Sequence, residues 1–276
     1  MRRLAALLAL GLLLPAAAAA DGESPTPVTY QSWQDISHGI ALKRIERKSP
    51  RLVGYLLRVE ISLPEITVFV TPGNGAEPKD AAARNTTEAF NDFNCAAAIN
   101  GSVFKPLPSA KGDPVDILGL AISSGEKYSE PNKFDAILFP SQQRGLIAKP
   151  PFNTTGIRNA LAGYHIILDQ ARVLPSSDKR HPRTAVGLSK QGGTLYMLVI
   201  DGRLPGYSDG ATLAETATIL ARAGAYNGLN MDGGGSTAMV IRDENGQTKR
   251  LNQPSGGLER RVGNHLCIRS PMKYRH

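Results

Sequence analysis

Residues 211–241 read ATLAETATILARAGAYNGLNMDGGGSTAMVI, a run that passes from helix to strand to glycine bend without a break. Leu213, Ala217, Leu220 and Ala221 recur at i, i+4, i+7 and i+8, which places them on one helix face turned toward a core. Thr212 and Glu215 have the spacing of a capping box, the hydroxyl taking one orphan backbone N–H and the carboxylate reaching back to another. Gly224 supplies the residue that adopts positive φ past the last turn. Beyond it Leu229 and Met231 alternate with Asn230 and Asp232. A strand here buries the first pair and brings an amide and a carboxylate together on its other face.

That strand ends in Asp232-Gly233-Gly234-Gly235-Ser236-Thr237. A bare Gly-Gly pair reads as a turn or bulge that needs positive φ. Three glycines between a strand-end aspartate and a Ser-Thr pair suggest instead that something packs directly on the backbone. Exposed N–H groups in such a bend would form a concave nest for an anion. The nucleotide-type phosphate loop is absent, since no Gly-Lys-Ser/Thr follows.

Upstream, residues 52–70 read as two strands, LVGYLLRVEI and ITVFV, interrupted at Leu63-Pro64-Glu65. Residues 85–94 look helical, with Ala89, Phe90 and Phe93 on one side, and Ala96-Ala97-Ala98-Ile99 reads as a buried strand delivering Asn100-Gly101. Residues 105–114 read as a Pro/Gly-rich loop that could cover a site, and residues 117–122 as a further strand. Residues 195–200 are a nearly continuous apolar run, as expected of a strand buried on both faces, ending in Asp201-Gly202-Arg203. Two readings stay open for Asp201: it lies at a strand end neighbouring that of Asp232, or Asp201-Gly202 is an ordinary turn. Strands outnumber helices without regular alternation, so the expected fold class is α+β, a single domain with a central mixed β-sheet and a few flanking helices.

Residues 1–20 carry two arginines, an apolar run and Ala18-x-Ala20, the pattern of a secretory signal peptide cut after Ala20. The apolar run is short for a membrane span, so an exported, periplasmic or secreted domain over residues 21–276 with no stable membrane anchor is expected. Removing the leader lowers Lys+Arg from 32 to 30 against 24 Asp+Glu, and the net charge from +8 to +6. A basic surface favours anionic ligands such as phosphorylated glycans. No aromatic-basic platform or helix-turn-helix pattern points to nucleic acid. Cys95 and Cys267 are the only cysteines, and in an oxidising compartment a bridge between them would stabilise by on the order of 5 kcal/mol on the chain-entropy model. The alternative is two buried free thiols.

Four blocks taken together resemble the phosphodiester glycosidase family: Ala98-Ile99-Asn100-Gly101-Ser102-Val103-Phe104, His181-Pro182-Arg183-Thr184-Ala185-Val186-Gly187, the Asp-Gly-Gly-Gly-Ser-Thr bend, and Glu259-Arg260-Arg261-Val262-Gly263-Asn264. Ser102-Val103 departs from the family's Asn-Gly-Gly-Phe-Phe. The resemblance implies a hydrolase that releases a sugar from a sugar-1-phosphodiester at the anomeric carbon. Alternatives are a phosphodiesterase attacking at phosphorus and a non-catalytic glycan-binding or envelope-assembly protein. Cleavage through an oxocarbenium-like transition state needs a carboxylate near C1. Asp232 is the first choice, with Glu215 and Asp201 as the candidates for a second carboxylate, although Glu215 also reads simply as a helix cap. On the same resemblance Arg183, Arg260 and the amides of Gly233, Gly234 and Gly235 would hold phosphate, with Ser236 and Thr237 beside them. Asn100, Gly101 and Asn264 would serve sugar hydroxyls or orient water, and Arg260 is preferred over Arg261. His181 reads as a bystander in a basic turn. No cofactor is indicated; Asp201, Asp232 and the asparagines could bind a hard divalent cation through oxygens, but nothing has zinc spacing.

Overall fold

In the computed structural model, which describes residues 25–175 and 177–271, the apolar runs pair with their sequence neighbours through short hairpins. Ile40–Arg47 lies antiparallel to Leu52–Val59, and Arg183–Leu188 to Leu195–Ile200. Hairpin closure needs no helical crossover, and every pairing within the sheets is antiparallel. The expected α+β class with a mixed central sheet is therefore corrected: the protein is mostly β, and its described residues form four antiparallel sheets. Only two α-helices occur among the described residues, Thr86–Asp92 and Leu213–Ala223. Much of the unanticipated β-structure lies in residues 126–173, where strands such as Glu126–Ser129 and Asn159–Ala162 span four residues each, too short to show a period.

The largest sheet has nine strands, with Leu52–Val59, Leu195–Ile200, Arg183–Leu188 and Asn227–Asn230 side by side at its centre. A five-stranded sheet carries Met239–Arg242, Ala97–Asn100 and His265–Arg269 next to one another. A second five-stranded sheet contains Ala136–Ser141 and Asn159–Ala162. The main core lies between them, where Leu57, Met197 and Leu229 meet Ile99, Met239, Leu266, Phe139 and Leu161. The nine-stranded sheet is also covered on its far face by the helix Leu213–Ala223, through Leu213, Ala217 and Leu220. Burial on both faces accounts for the unbroken apolar run Leu195–Ile200, all six residues of which are buried.

The helix packs closely because Gly187 and Gly228, opposite each other in the sheet, present no side chain. A Cβ on Gly228 would lie 3.0 Å from Leu220 Cδ1. Its ends are set as the sequence indicates: Thr212 Oγ1 accepts from Glu215 N, Glu215 Oε2 accepts from Thr212 N, and Gly224 takes φ 111°. The helix Thr86–Asp92 begins one residue after an Asn85 N-cap and covers the five-stranded sheet with Phe90, beside a disulfide between Cys95 and Cys267.

No residue of the stretch 105–114 lines the cleft that holds Asp232. Phe104–Lys105 pairs with Pro114–Ile117 in a three-stranded sheet, and the Asp113 carboxylate gathers Ser109 and Ala110 into a turn. The leader, residues 1–20, lies outside the described residues. Among the described residues no helix is long and apolar enough to cross a membrane.

Candidate active site

The glycine bend sits where the ends of the two central sheets meet, and Asn100 holds it there. Its Nδ2 donates to Asp232 O at 2.7 Å, while its Oδ1 accepts from Ala238 N at 3.2 Å and Thr184 Oγ1 at 2.7 Å. One fully buried amide thus clasps both ends of the bend and the neighbouring strand. Asn264 does the same for the Asn100 strand: its Oδ1 accepts from Ser102 N at 2.7 Å and its carbonyl from Gly101 N at 2.9 Å. Gly101 admits this contact, since a Cβ would lie 2.4 Å from Asn264 Oδ1. Asn100, Gly101 and Asn264 are all buried, so they position the bend from behind it and do not face the cleft.

The bend's amides are largely used within the protein. Gly233 N donates to Asp232 Oδ1, Gly234 N to Pro182 O, Ser236 N to Gly233 O and Thr237 N to Gly234 O. The sequence reading of a nest of free N–H groups is replaced by another reason for three glycines. A Cβ on Gly235 would lie 2.4 Å from Arg260 Nη2, one on Gly234 3.3 Å from Arg203 Nη1, and one on Gly233 2.8 Å from Pro182 O. The glycines make room for two guanidinium groups and a strand to press on the backbone. Positive charge at the bend therefore comes from side chains.

A cleft of about 370 Å³ opens over this arrangement. It is lined by Asp232, the three glycines, Arg183, Arg203 and Arg260, with Tyr164, His165, His181 and Asn230 around the rest. Asp232 is the only carboxylate among the described lining residues. Burial pushes its pKa up to about 6, against the opposing pull of Ser236, Arg260 and the Gly233 amide. Arg260 Nη1 reaches Ser236 Oγ at 3.5 Å, whereas Arg261 turns away to Glu88. Arg183 spends Nε on Ala211 O and Nη2 on Lys179 O.

His181 Nδ1 lies 3.1 Å from Arg203 Nη2. A guanidinium has no lone pair to offer, so Nδ1 is the acceptor and a neutral ring carries its proton on Nε2. Burial, with Arg183, Arg203 and Lys179 close by, pushes the His181 pKa down. His181 is thus a neutral donor at the cleft edge. Arg203, Tyr164 and Asn230 went unassigned at the sequence level. Asn230 shares the strand face of Asp232 and Arg203 follows a strand-end Asp-Gly, which were the available signals; nothing local marks Tyr164.

Glu215 and Asp201 do not line the cleft. Burial acts to raise Glu215, but hydrogen bonds from Arg180, Arg47 and Thr212 N outweigh it and hold the carboxylate at about 2. Asp201 accepts from Asn252 Nδ2, Gln253 N and Tyr207 OH, and burial raises it to about 6. The strand Arg183–Leu188 runs between the two aspartate-bearing strands. Thr237 is buried, and its Oγ1 has no hydrogen-bond partner. Among the described residues no group of three or more His, Cys, Asp or Glu side chains could hold a metal ion. A larger groove of about 1160 Å³ beside residues 34–37 and 241–246 shares no residue with the cleft.

No curated protein matches the chain. Among solved structures it is similar to a hypothetical protein from Synechocystis, with TM-score 0.67 and 16% identity, covering 89% of this chain and 64% of that one. It is also similar to the zebrafish N-acetylglucosamine-1-phosphodiester alpha-N-acetylglucosaminidase catalytic domain, auto-inhibited by its pro-peptide, with TM-score 0.63 and 20% identity over 92% of this chain and 87% of that one. A Burkholderia pseudomallei protein gives TM-score 0.66 and 13% identity over 95% of this chain and 100% of that one. At such identities these likenesses speak for the fold. The phosphodiester glycosidase family model matches residues 93–269, a span holding every residue that lines the cleft and more than half of the chain, and the protein belongs to that family of glycosidase-type hydrolases.

Proposed function

We propose that the protein hydrolyses a sugar-1-phosphodiester at the anomeric carbon, with Asp232 as the catalytic carboxylate. The observation that carries this reading is one cleft lined by three arginines, Arg183, Arg203 and Arg260, and by Asp232 as the single carboxylate among its described lining residues. In the reaction the bond from C1 to the phosphate oxygen breaks and the phosphomonoester leaves with the electron pair. A water oxygen bonds to C1 and its proton passes to the carboxylate or to solvent. The leaving group is a stable anion, so cationic stabilisation of its oxygens matters more than a strong general acid. The arginines supply that charge in a partly desolvated site, where it counts for more than in water. Asp232, in its ionised form, sits among them to meet positive charge developing at C1.

The leader pattern of residues 1–20 and the disulfide between Cys95 and Cys267 support export as part of the same proposal. A net charge of +6 without the leader suits an anionic, phosphorylated glycan as substrate. The test is hydrolysis of an N-acetylglucosamine-1-phosphodiester in ¹⁸O-water. Label is expected in the hydroxyl of the released sugar. Label in the phosphate would instead establish attack at phosphorus, and no turnover would leave a glycan-binding protein.

A further inference from the structure

Asn230 is 5% exposed, yet it lines the cleft two residues before Asp232. Its Nδ2 donates to Met231 O at 3.1 Å, and its Oδ1 has no hydrogen-bond partner. Exchanging the two amide atoms would set one carbonyl oxygen against another, so the orientation is fixed by Met231 and the acceptor is the atom left over. A buried acceptor without a partner destabilises the fold, and a ligand that brings a donor removes that penalty.

Tyr164 stands beside it. Its backbone N donates to Asn230 O at 2.7 Å, an approach allowed by Gly163, where a Cβ would lie 2.5 Å from the same oxygen. The residue is 38% exposed, and its ring is held edge-on by Phe134 at 5.4 Å and is near enough to Asp232 to feel its charge. An aromatic ring with a polar tip suits the mixed faces of a sugar. Along the chain Asp232 separates this pair from Gly234 and Gly235, over which Arg203 and Arg260 lie. The cleft lining thus combines an acceptor and a ring with the cations that lie over the glycines.

We propose that Asn230 and Tyr164 form the glycosyl side of the cleft, with Asn230 Oδ1 accepting a hydrogen bond from a hydroxyl or acetamido N–H of the sugar. This rests on the reading of the protein as a sugar-1-phosphodiester hydrolase and sets which way round the substrate lies. It makes Asn230 a specificity-determining residue, while the arginines bind phosphate whatever the sugar.

Calorimetric binding of inorganic phosphate, N-acetylglucosamine 1-phosphate, glucose 1-phosphate and its single-position deoxy analogues to the full protein tests it without turnover. In the wild type, sugar phosphates bind more tightly than phosphate, and deleting one particular donor weakens binding about tenfold. In Asn230→Ala the same deletion costs less than about twofold, and inorganic phosphate binds as before. Equal penalties in wild type and Asn230→Ala, or equal weakening of phosphate and sugar phosphate by that variant, would overturn the assignment. So would a wild-type series with no penalised position or no preference for sugar phosphates, and that arm needs no variant to fold. A protein that shows this binding pattern but turns over no phosphodiester keeps the subsite and loses the hydrolase reading. Turnover with a flat analogue series does the reverse.

Discussion

Asn100 Nδ2 donates to the carbonyl oxygen of Asp232 at 2.7 Å, across 132 residues of chain. The same side chain accepts from Ala238 N and Thr184 Oγ1, so the strand end that looked like substrate-binding machinery is the clasp of the bend. Asn100→Ala leaves a buried carbonyl, amide and hydroxyl without their partner. The expected loss is about 2–4 kcal/mol in urea unfolding, with turnover falling in the folded fraction. Unchanged stability would mean that the clasp is not what holds the bend.

Asp232→Asn is expected to abolish turnover and leave the fold intact, as judged by activity and circular dichroism together. Because the wild-type carboxyl titrates at about 6 and acts ionised, the rate should rise with pH through that region before levelling. A rate that instead falls above pH 6 would assign Asp232 the role of proton donor.

Asp201 and Asp232 are both raised to about 6, so their neutral forms favour the fold. Their contribution to stability is full below the unfolded carboxyl value near 4 and is lost as pH rises through about 6. Asp201→Asn keeps an acceptor for Asn252 and Gln253 and removes the charge. It should gain stability relative to wild type at pH 7.5 compared with pH 4, measured by thermal melting. An equal shift at both values would contradict a buried, strained carboxylate.

Glu215 has the opposite sign. Its carboxyl is depressed to about 2, so its contribution is present above the unfolded value near 4.5 and lost as pH falls through about 2. Glu215→Gln should cost about 1–2 kcal/mol at neutral pH, allowing for solvent screening of a partly exposed group, and retain turnover within about tenfold. Loss of turnover as complete as in Asp232→Asn would restore Glu215 as the second carboxylate.

Gly235→Ala places a methyl group 2.4 Å from the present position of Arg260 Nη2, at the flexible end of that side chain. The fold should survive and phosphate affinity should fall, by about tenfold if the guanidinium is displaced from the anion. Phosphate titration of this variant against wild type decides it. Unchanged affinity would separate Arg260 from anion binding.

The helix Leu213–Ala223, its two caps and the doubly buried strand Leu195–Ile200 were legible in the sequence, because each is written in residues a few positions apart. The family blocks likewise marked Asp232, Arg183 and Arg260, all of which line the cleft. What could not be read locally was the partner of each polar group. Asn100 and Asn264 carry side chains suited either to a sugar or to a buried backbone, and only the meeting of two sheet ends commits them to the backbone. Glu215 fits both a cap and a catalytic acid until Arg47 and Arg180 arrive from distant strands and turns. Local order followed from periodicity and capping, which act over one or two turns of chain. The antiparallel architecture, the guanidinium groups laid over the glycines and the Asn230 amide oxygen left without a partner arose from contacts between segments far apart in sequence, for which a one-dimensional pattern holds no distance.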